Sequence, residues 1–253
     1  MKKILVWDLP IRIFHWLFAG LFVGSFAISH LVSKHNPLFG LHALFGILLV
    51  ILVVYRVIWG IFGSEHAKLK HLFFSPAELI AYVKDEIFGP GKKYIGHNPG
   101  AAYFTLAILI IPIFSVLTGF NMVSSGTETL EEVHELLGNG AMVLVGLHVL
   151  GILTYTLKHK ELISLSMIKG TKMGPESEGL KSSHPIAALV LVVLISAATF
   201  KVFSNFNFQT GEFYCTLTGQ TYFLFDKEDG EGKENGQENH GRKNHEDKED
   251  DDD

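Results

Sequence analysis

The sequence predicts an all-α membrane protein: a four-helix transmembrane bundle followed by a fifth, C-terminal transmembrane helix. Composition is the first reason. Of 253 residues, 48% are hydrophobic and 19% charged, and the mean hydropathy is +0.28. The second reason is pattern. Five segments, roughly 12–31, 38–62, 102–123, 132–157 and 184–203, reach the ~20 apolar residues needed to cross about 30 Å of hydrocarbon. The second segment, GLHALFGILLVILVVYRVIWGIF, and the fifth, HPIAALVLVVLISAATFKVF, are apolar around their whole circumference. Soluble core helices rarely are. The alternating ten-residue segments of a β-barrel are absent.

The elements follow in order. Met1-Lys2-Lys3 and the apolar run behind it read as an uncleaved first span, not a signal peptide. The run extends to Leu31, lacks a small-x-small cleavage site and contains Arg12 and His15. Lys and Arg cluster at the N-terminus (Lys2, Lys3, Arg12), after span 2 (Lys68, Lys70, Lys84, Lys92, Lys93) and after span 4 (Lys158, Lys160, Lys169, Lys172, Lys181). The loop after span 1 holds only Lys34, and the loop after span 3 holds neither residue type. Positive charge stays inside, so the N-terminus is expected in the cytoplasm of a bacterial inner membrane and the C-terminus in the periplasm. Between spans 2 and 3, Ser75-Pro76-Ala77-Glu78 predicts the start of a surface helix over about 76–87, ended by Gly89-Pro90-Gly91. Gly96-His97-Asn98-Pro99-Gly100 is turn chemistry. Pro112 is expected to kink span 3, and Thr129-x-x-Glu132 to cap span 4. Residues 206–225 read as a periplasmic juxtamembrane segment. Residues 226–253 hold 13 acids against 5 Lys/Arg, a net of −8 that leaves +3 on the rest of a chain at −5. With nothing apolar to bury, this tail is expected to be disordered.

Histidine carries the functional signal. Of 13 histidines, the informative ones lie within spans: His15, His42, His134 and His148. Ionisable residues there are rare and functional. His134 and His148 are 14 residues apart, nearly four turns, so they share a face and stand about 21 Å apart along the axis. One haem cannot use both, but two haems at different depths can, with neutral imidazole as iron ligand. Depth pairs His15 with His148 near the cytoplasmic side and His42 with His134 near the outer side. His30 and His35, at the water boundary, compete for the outer haem. Gly46 and Gly138, each four residues beyond a histidine, together with Gly20, Gly24, Gly140 and Gly146, suit a flat macrocycle or simply close helix packing. Arg12 and Arg56 either hold haem propionates or snorkel at the boundary. The single Cys215 excludes a C-x-x-C-H haem attachment and four-cysteine metal sites.

The chain resembles the prokaryotic cytochrome b561 family, which includes cytochrome b subunits of nickel–iron hydrogenases and relatives of formate dehydrogenase gamma subunits. The matching stretches are Val6-Trp7-Asp8-Leu9-Pro10-x-Arg12-x-x-His15-Trp16, His42-x-x-x-Gly46, Arg56-x-x-Trp59-Gly60, Tyr94-x-Gly96-His97-Asn98-Pro99, His134-Glu135, His148 and Met167-Ile168-x-Gly170. They span about residues 4–172. The resemblance implies a four-helix domain over 1–175 with two bis-histidine haems b on His15, His42, His134 and His148; it fades after about residue 175, and the fifth helix over 176–205 is expected from its apolar run alone. The resemblance also implies electron exchange between quinone or quinol and a partner redox protein. The WDLP and GHNP forms resemble cytochromes b that accompany periplasmic c-type cytochromes. A hydrogenase or dehydrogenase subunit is the alternative partner. The acidic tail would attract a lysine-rich cytochrome by electrostatic steering, or merely be solvated.

Two other functions compete. Some relatives oxidise superoxide and reduce quinone, but cationic outer loops, which would draw in that anion, are missing here. A haem-free histidine-lined transporter would favour acids within the spans, and only Glu132 and Glu135 lie near, both at a span end. Lipid is an expected partner and nucleic acid is not. Arg56 and His97 are the residues suggested for a quinone site.

Overall fold

In a computed structural model, which describes residues 2–225, the five spans are helices α1 (Leu9–Leu31), α2 (Gly40–Phe62), α4 (Pro99–Ser125), α5 (Glu128–His159) and α7 (Pro185–Ser204). All five are long and apolar enough to cross a membrane. The surface helix α3 (Pro76–Phe88) lies between α2 and α4, and a short α6 (Ser166–Lys169) follows α5. The segment 226–253, with the disorder expected of it, lies outside the described residues.

Local chemistry sets the ends. Asp8, Ser75 and Asn98 cap α1, α3 and α4, each side chain accepting a backbone N–H of the first turn. At α3 the full capping box forms, because the Glu78 carboxylate also accepts from the Ser75 backbone N–H. Gly126 ends α4 in the left-handed conformation at φ 63°. The expected cap of span 4 at Thr129 is corrected. Only Gly126 and Thr127 separate the two helices, so α5 begins at Glu128 and Thr129 sits inside its first turn. Pro112 lies within one unbroken α4.

Helix α2 is central. Leu44, Leu48 and Leu52, spaced four apart and at most 2% exposed, form its inward stripe. α1, α4 and α7 all pack on α2, and α5 packs on α4. The fifth span therefore belongs to the bundle, and Leu191 and Ile195 of α7 share one core with Leu48 and Phe18. On α5, Ala141 and Tyr155 are buried and fall on the same seven-residue spacing as His134 and His148.

Two small sheets tie the ends and were not legible as strands in the sequence. At the N-terminal end, β1 (Lys2–Leu5) pairs antiparallel with β2 (Thr171–Gly174), placing Lys2 opposite Gly174 and Leu5 opposite Thr171. This closes the chain's first residues onto the segment after α5. Residues 206–225, expected only as a connecting segment, fold back at the opposite end. There β3 (Glu212–Cys215) and β4 (Gln220–Phe223) make a hairpin. The Phe120 ring of α4 lies 4.7 Å from that of Tyr222 and 6.4 Å from that of Phe213. Phe206 fills the space in front of Gly40, where a Cβ would come within 2.3 Å of its ring.

Candidate functional site

The first turn of α2 carries His42 and the second turn of α5 carries His134, both at the hairpin end. Their rings meet with centroids 5.8 Å apart and planes at 77°. Each ring is held by a backbone carbonyl. His42 Nδ1 lies 3.0 Å from the Ser25 carbonyl oxygen. His134 Nδ1 lies 2.9 Å from that of Ser115. A carbonyl only accepts, so both Nδ1 atoms carry the proton and both Nε2 lone pairs are left for a metal. The Ser25 hydroxyl, in turn, donates to the His42 carbonyl at 3.1 Å, which ties α1 to α2 at this point.

His15 and His148 lie at the N-terminal end, within electrostatic reach of each other. The His148 ring stacks on Phe104 of α4, with centroids 4.3 Å apart and planes at 12°. The His15 ring stands edge-on to Trp16 at 5.0 Å, and its buried Nδ1 has no hydrogen-bond partner. Of the competitors, His30 is exposed and turns back onto its own helix, bonding the Phe26 carbonyl at 3.0 Å and stacking on the Phe26 ring. His35 is exposed as well.

Arg12 and Arg56 both sit at the N-terminal end. Arg12 Nη1 donates to the Ile168 carbonyl, while its Nε is buried without a partner. Arg56 is 3% exposed, and its Nη1 is likewise unpartnered. The acid nearest in effect to Arg56 is Asp8. Asp8 is fully buried, capping α1 through Oδ1 at 2.9 Å from Ile11 N and accepting the Trp59 indole N–H through Oδ2 at 3.0 Å. This Asp8–Trp59 link went unread in the sequence, although WDLP and R-x-x-WG were both visible. Beside it, the Lys172 ammonium lies over the Trp7 ring at 5.2 Å and donates to the Ile95 carbonyl. Burial lowers Lys172 to about 8. His97 stands edge-on to Trp7 at 4.9 Å, and burial, then the neighbouring cations Arg56 and Lys172, push it down to about 3. His97 also lines a cleft of about 600 Å³ with His66, His71, Glu65, Phe74 and Ile95.

The donor set suits a haem. Among the described residues no three His, Cys, Asp or Glu side chains gather as a ligand set for a bare ion. Donors meet in twos, which suits a metal that brings its own equatorial ring. The facing imidazoles of His42 and His134, with ring centroids 5.8 Å apart, are the residues that would hold such a group between α2 and α5. A Cβ added at Gly138, one turn from His134, or at Gly20, Gly140 or Gly146 would meet no atom within 4 Å. Gly24 differs, since a Cβ there would press on Phe45 at 3.0 Å, which is helix packing. The unpartnered guanidinium N–H groups of Arg12 and Arg56 suit carboxylates.

Comparison with known proteins agrees in kind. The family described as prokaryotic cytochrome b561 matches residues 6–170, well over half of the chain. The chain belongs to that family. Membership makes it a multi-pass membrane cytochrome b and implies b-type haem. Three curated relatives, each named a probable Ni/Fe-hydrogenase B-type cytochrome subunit, resemble this cytochrome b. The protein of Rhizobium leguminosarum bv. viciae is 29% identical, over 49% of this chain and 62% of its own length. That of Rhodobacter capsulatus is 28% identical, over 49% of this chain and 56% of its own length. That of Bradyrhizobium diazoefficiens is 25% identical, over 53% of this chain and 63% of its own length. The chain therefore covers only about three-fifths of these relatives. No solved structure matches it significantly.

Proposed function

We propose that this chain is a two-haem electron carrier. His42 and His134 ligate one haem b near the outer surface, and His15 and His148 ligate the other near the cytoplasmic surface. The carrying observation is the facing pair His42 and His134, each with Nδ1 tied to a carbonyl. A carbonyl partner on the far nitrogen orients a ligating imidazole and raises its basicity. Arg12 and Arg56 would meet the propionates of the cytoplasmic-side haem. The haems supply reversible one-electron chemistry. The chain's own part is to fix the imidazoles, set the depth of each site and exclude water. The basic loops support an N-terminus in the cytoplasm of an inner membrane and the hairpin in the periplasm.

Quinone or quinol would exchange electrons at the cytoplasmic-side end, where the cleft with neutral His97 supports a head-group site. A periplasmic c-type cytochrome would exchange them at the other. The relatives' names favour a second reading of the partner, a hydrogenase subunit. Lys34 is paired with Glu131 at 2.6 Å, which leaves that loop little field to draw in an anion and weighs against superoxide as substrate. Residues 1–175 would form the haem domain, with α7 bracing it.

Haem content tests the assignment. A reduced spectrum of the purified protein without b-type bands would end the cytochrome reading. His134→Leu is expected to halve the haem-to-protein ratio while the remaining haem keeps its spectrum. Retention of both haems in His134→Leu and in His148→Leu refutes the ligand set.

A further inference from the structure

Where α3 lies against the last turn of α5, the structure buries a carboxylate and an imidazole that the electron path does not use. Glu86 Oε1 and His159 Nε2 stand 3.8 Å apart, with side chains 13% and 7% exposed. Both carboxylate oxygens and Nε2 are sealed from solvent, and none has a hydrogen-bond partner. Groups left in that state are costly and ask for a reason. The covering loop is built tightly over them. Gly91 adopts φ +77°, and a Cβ there would come within 2.9 Å of His159 Nε2 and 3.0 Å of Glu86 Oε2.

The charges packed around the pair are otherwise engaged. From α5, the Lys158 ammonium donates to the main-chain carbonyls of Asp85 and Glu86, not to the carboxylate. Lys93 of the loop pairs with Glu161 at 3.3 Å, and Lys92 lies over the Tyr94 ring at 5.4 Å. Two tyrosines border the pair. The Tyr155 ring is 4.3 Å from that of His159, and Tyr82 is held up to about 12 by burial and then by the Glu86 charge. Spacing points the cluster at a histidine already described. Tyr155 and His159 lie 7 and 11 residues beyond His148, close to two and three turns, so all three share a face and His159 is about 16 Å from His148 along the axis.

We propose that Glu86 and His159 form a proton-exchange site coupled to the redox state of the haem at His15 and His148. The inference rests on that haem assignment. Reduction of a haem held by His15 and His148 would raise the proton affinity of the pair, so Glu86 and His159 would take up a fraction of a proton from water on the α3 side and release it on reoxidation. A unit of charge added about 16 Å away, at an effective dielectric constant of about 20, changes proton affinity roughly sixfold. Neither group has a fixed hydrogen bond to break, so the pair can respond.

Redox titration of the full-length protein in detergent, repeated across the neutral pH range, tests this. The haem that disappears in His148→Leu is expected to show a midpoint potential that falls as pH rises. Glu86→Gln and His159→Gln should each flatten that dependence without changing haem content, and Glu86→Asp should restore it. A purely structural pair would lower thermal stability in these variants but leave the pH dependence intact, which overturns the proposal. A haem whose potential does not vary with pH in the unmodified protein overturns it too. Failure of His148→Leu to remove any haem instead sinks the ligand assignment, and the coupling with it.

Discussion

Asp8 sits where the first helix, the second helix and a buried arginine meet, and replacing it should cost more than a surface cap would. Its Oδ1 accepts from Ile11 N at 2.9 Å and its Oδ2 from the Trp59 indole at 3.0 Å. A helix N-cap is worth about 1 kcal/mol. A hydrogen bond to a buried charged group is worth about 1.5–3 kcal/mol. Asp8→Ala therefore removes roughly 2.5–4 kcal/mol before Arg56, 3% exposed, loses the Asp8 counter-charge. Asp8→Asn keeps one side-chain acceptor, so it can hold the cap or the indole but not both, and should cost about half as much. Because Asp8 and Arg56 are coupled, Asp8→Ala with Arg56→Met should cost less than the two changes summed. Thermal unfolding in detergent, followed by circular dichroism, reads all three variants. An Asp8→Ala protein within about 1 kcal/mol of the parent, or Asn no better than Ala, would refute the reasoning.

Gly40→Ala should destabilise by about 1–3 kcal/mol through overpacking, since its Cβ would come within 2.3 Å of the Phe206 ring. In a Phe206→Ala background the same change should cost little. Equal costs in the two backgrounds, measured by the same unfolding assay, would mean that the hairpin segment does not press on α2. His97 gives a pH prediction. Its folded value of about 3 lies below its ordinary 6.5, so the unfolded chain takes up the proton first. Stability is then full above about pH 6.5 and falls as pH drops toward 3, by at most about 5 kcal/mol. His97→Phe should lose most of that acid sensitivity. An unchanged pH profile of unfolding would place the cause elsewhere.

Much of this architecture was determined by the sequence alone, because the signals are one-dimensional. Twenty apolar residues must form a helix in lipid, since every backbone group has to be satisfied within the segment, and so the five spans came out within a few residues of their ends. A 14-residue interval fixes a shared helix face by geometry alone, so His134 and His148 could be put at two depths without knowing their neighbours. Other features needed three dimensions. Which serine and which carbonyl hold the His42 and His134 rings depends on α1 beside α2 and α4 beside α5, a pairing that no local pattern encodes. The two small sheets escaped notice because four-residue strands carry too little periodicity, and β1 finds its partner some 170 residues away. Burial of Asp8, Arg56, Glu86 and His159 was equally invisible. Each looks like an ordinary boundary residue in the chain, and only the closure of loops and helices around it takes the water away. The paired histidines were thus written in the sequence, while their hydrogen-bonded orientation and the buried charges around them were decided by the packing.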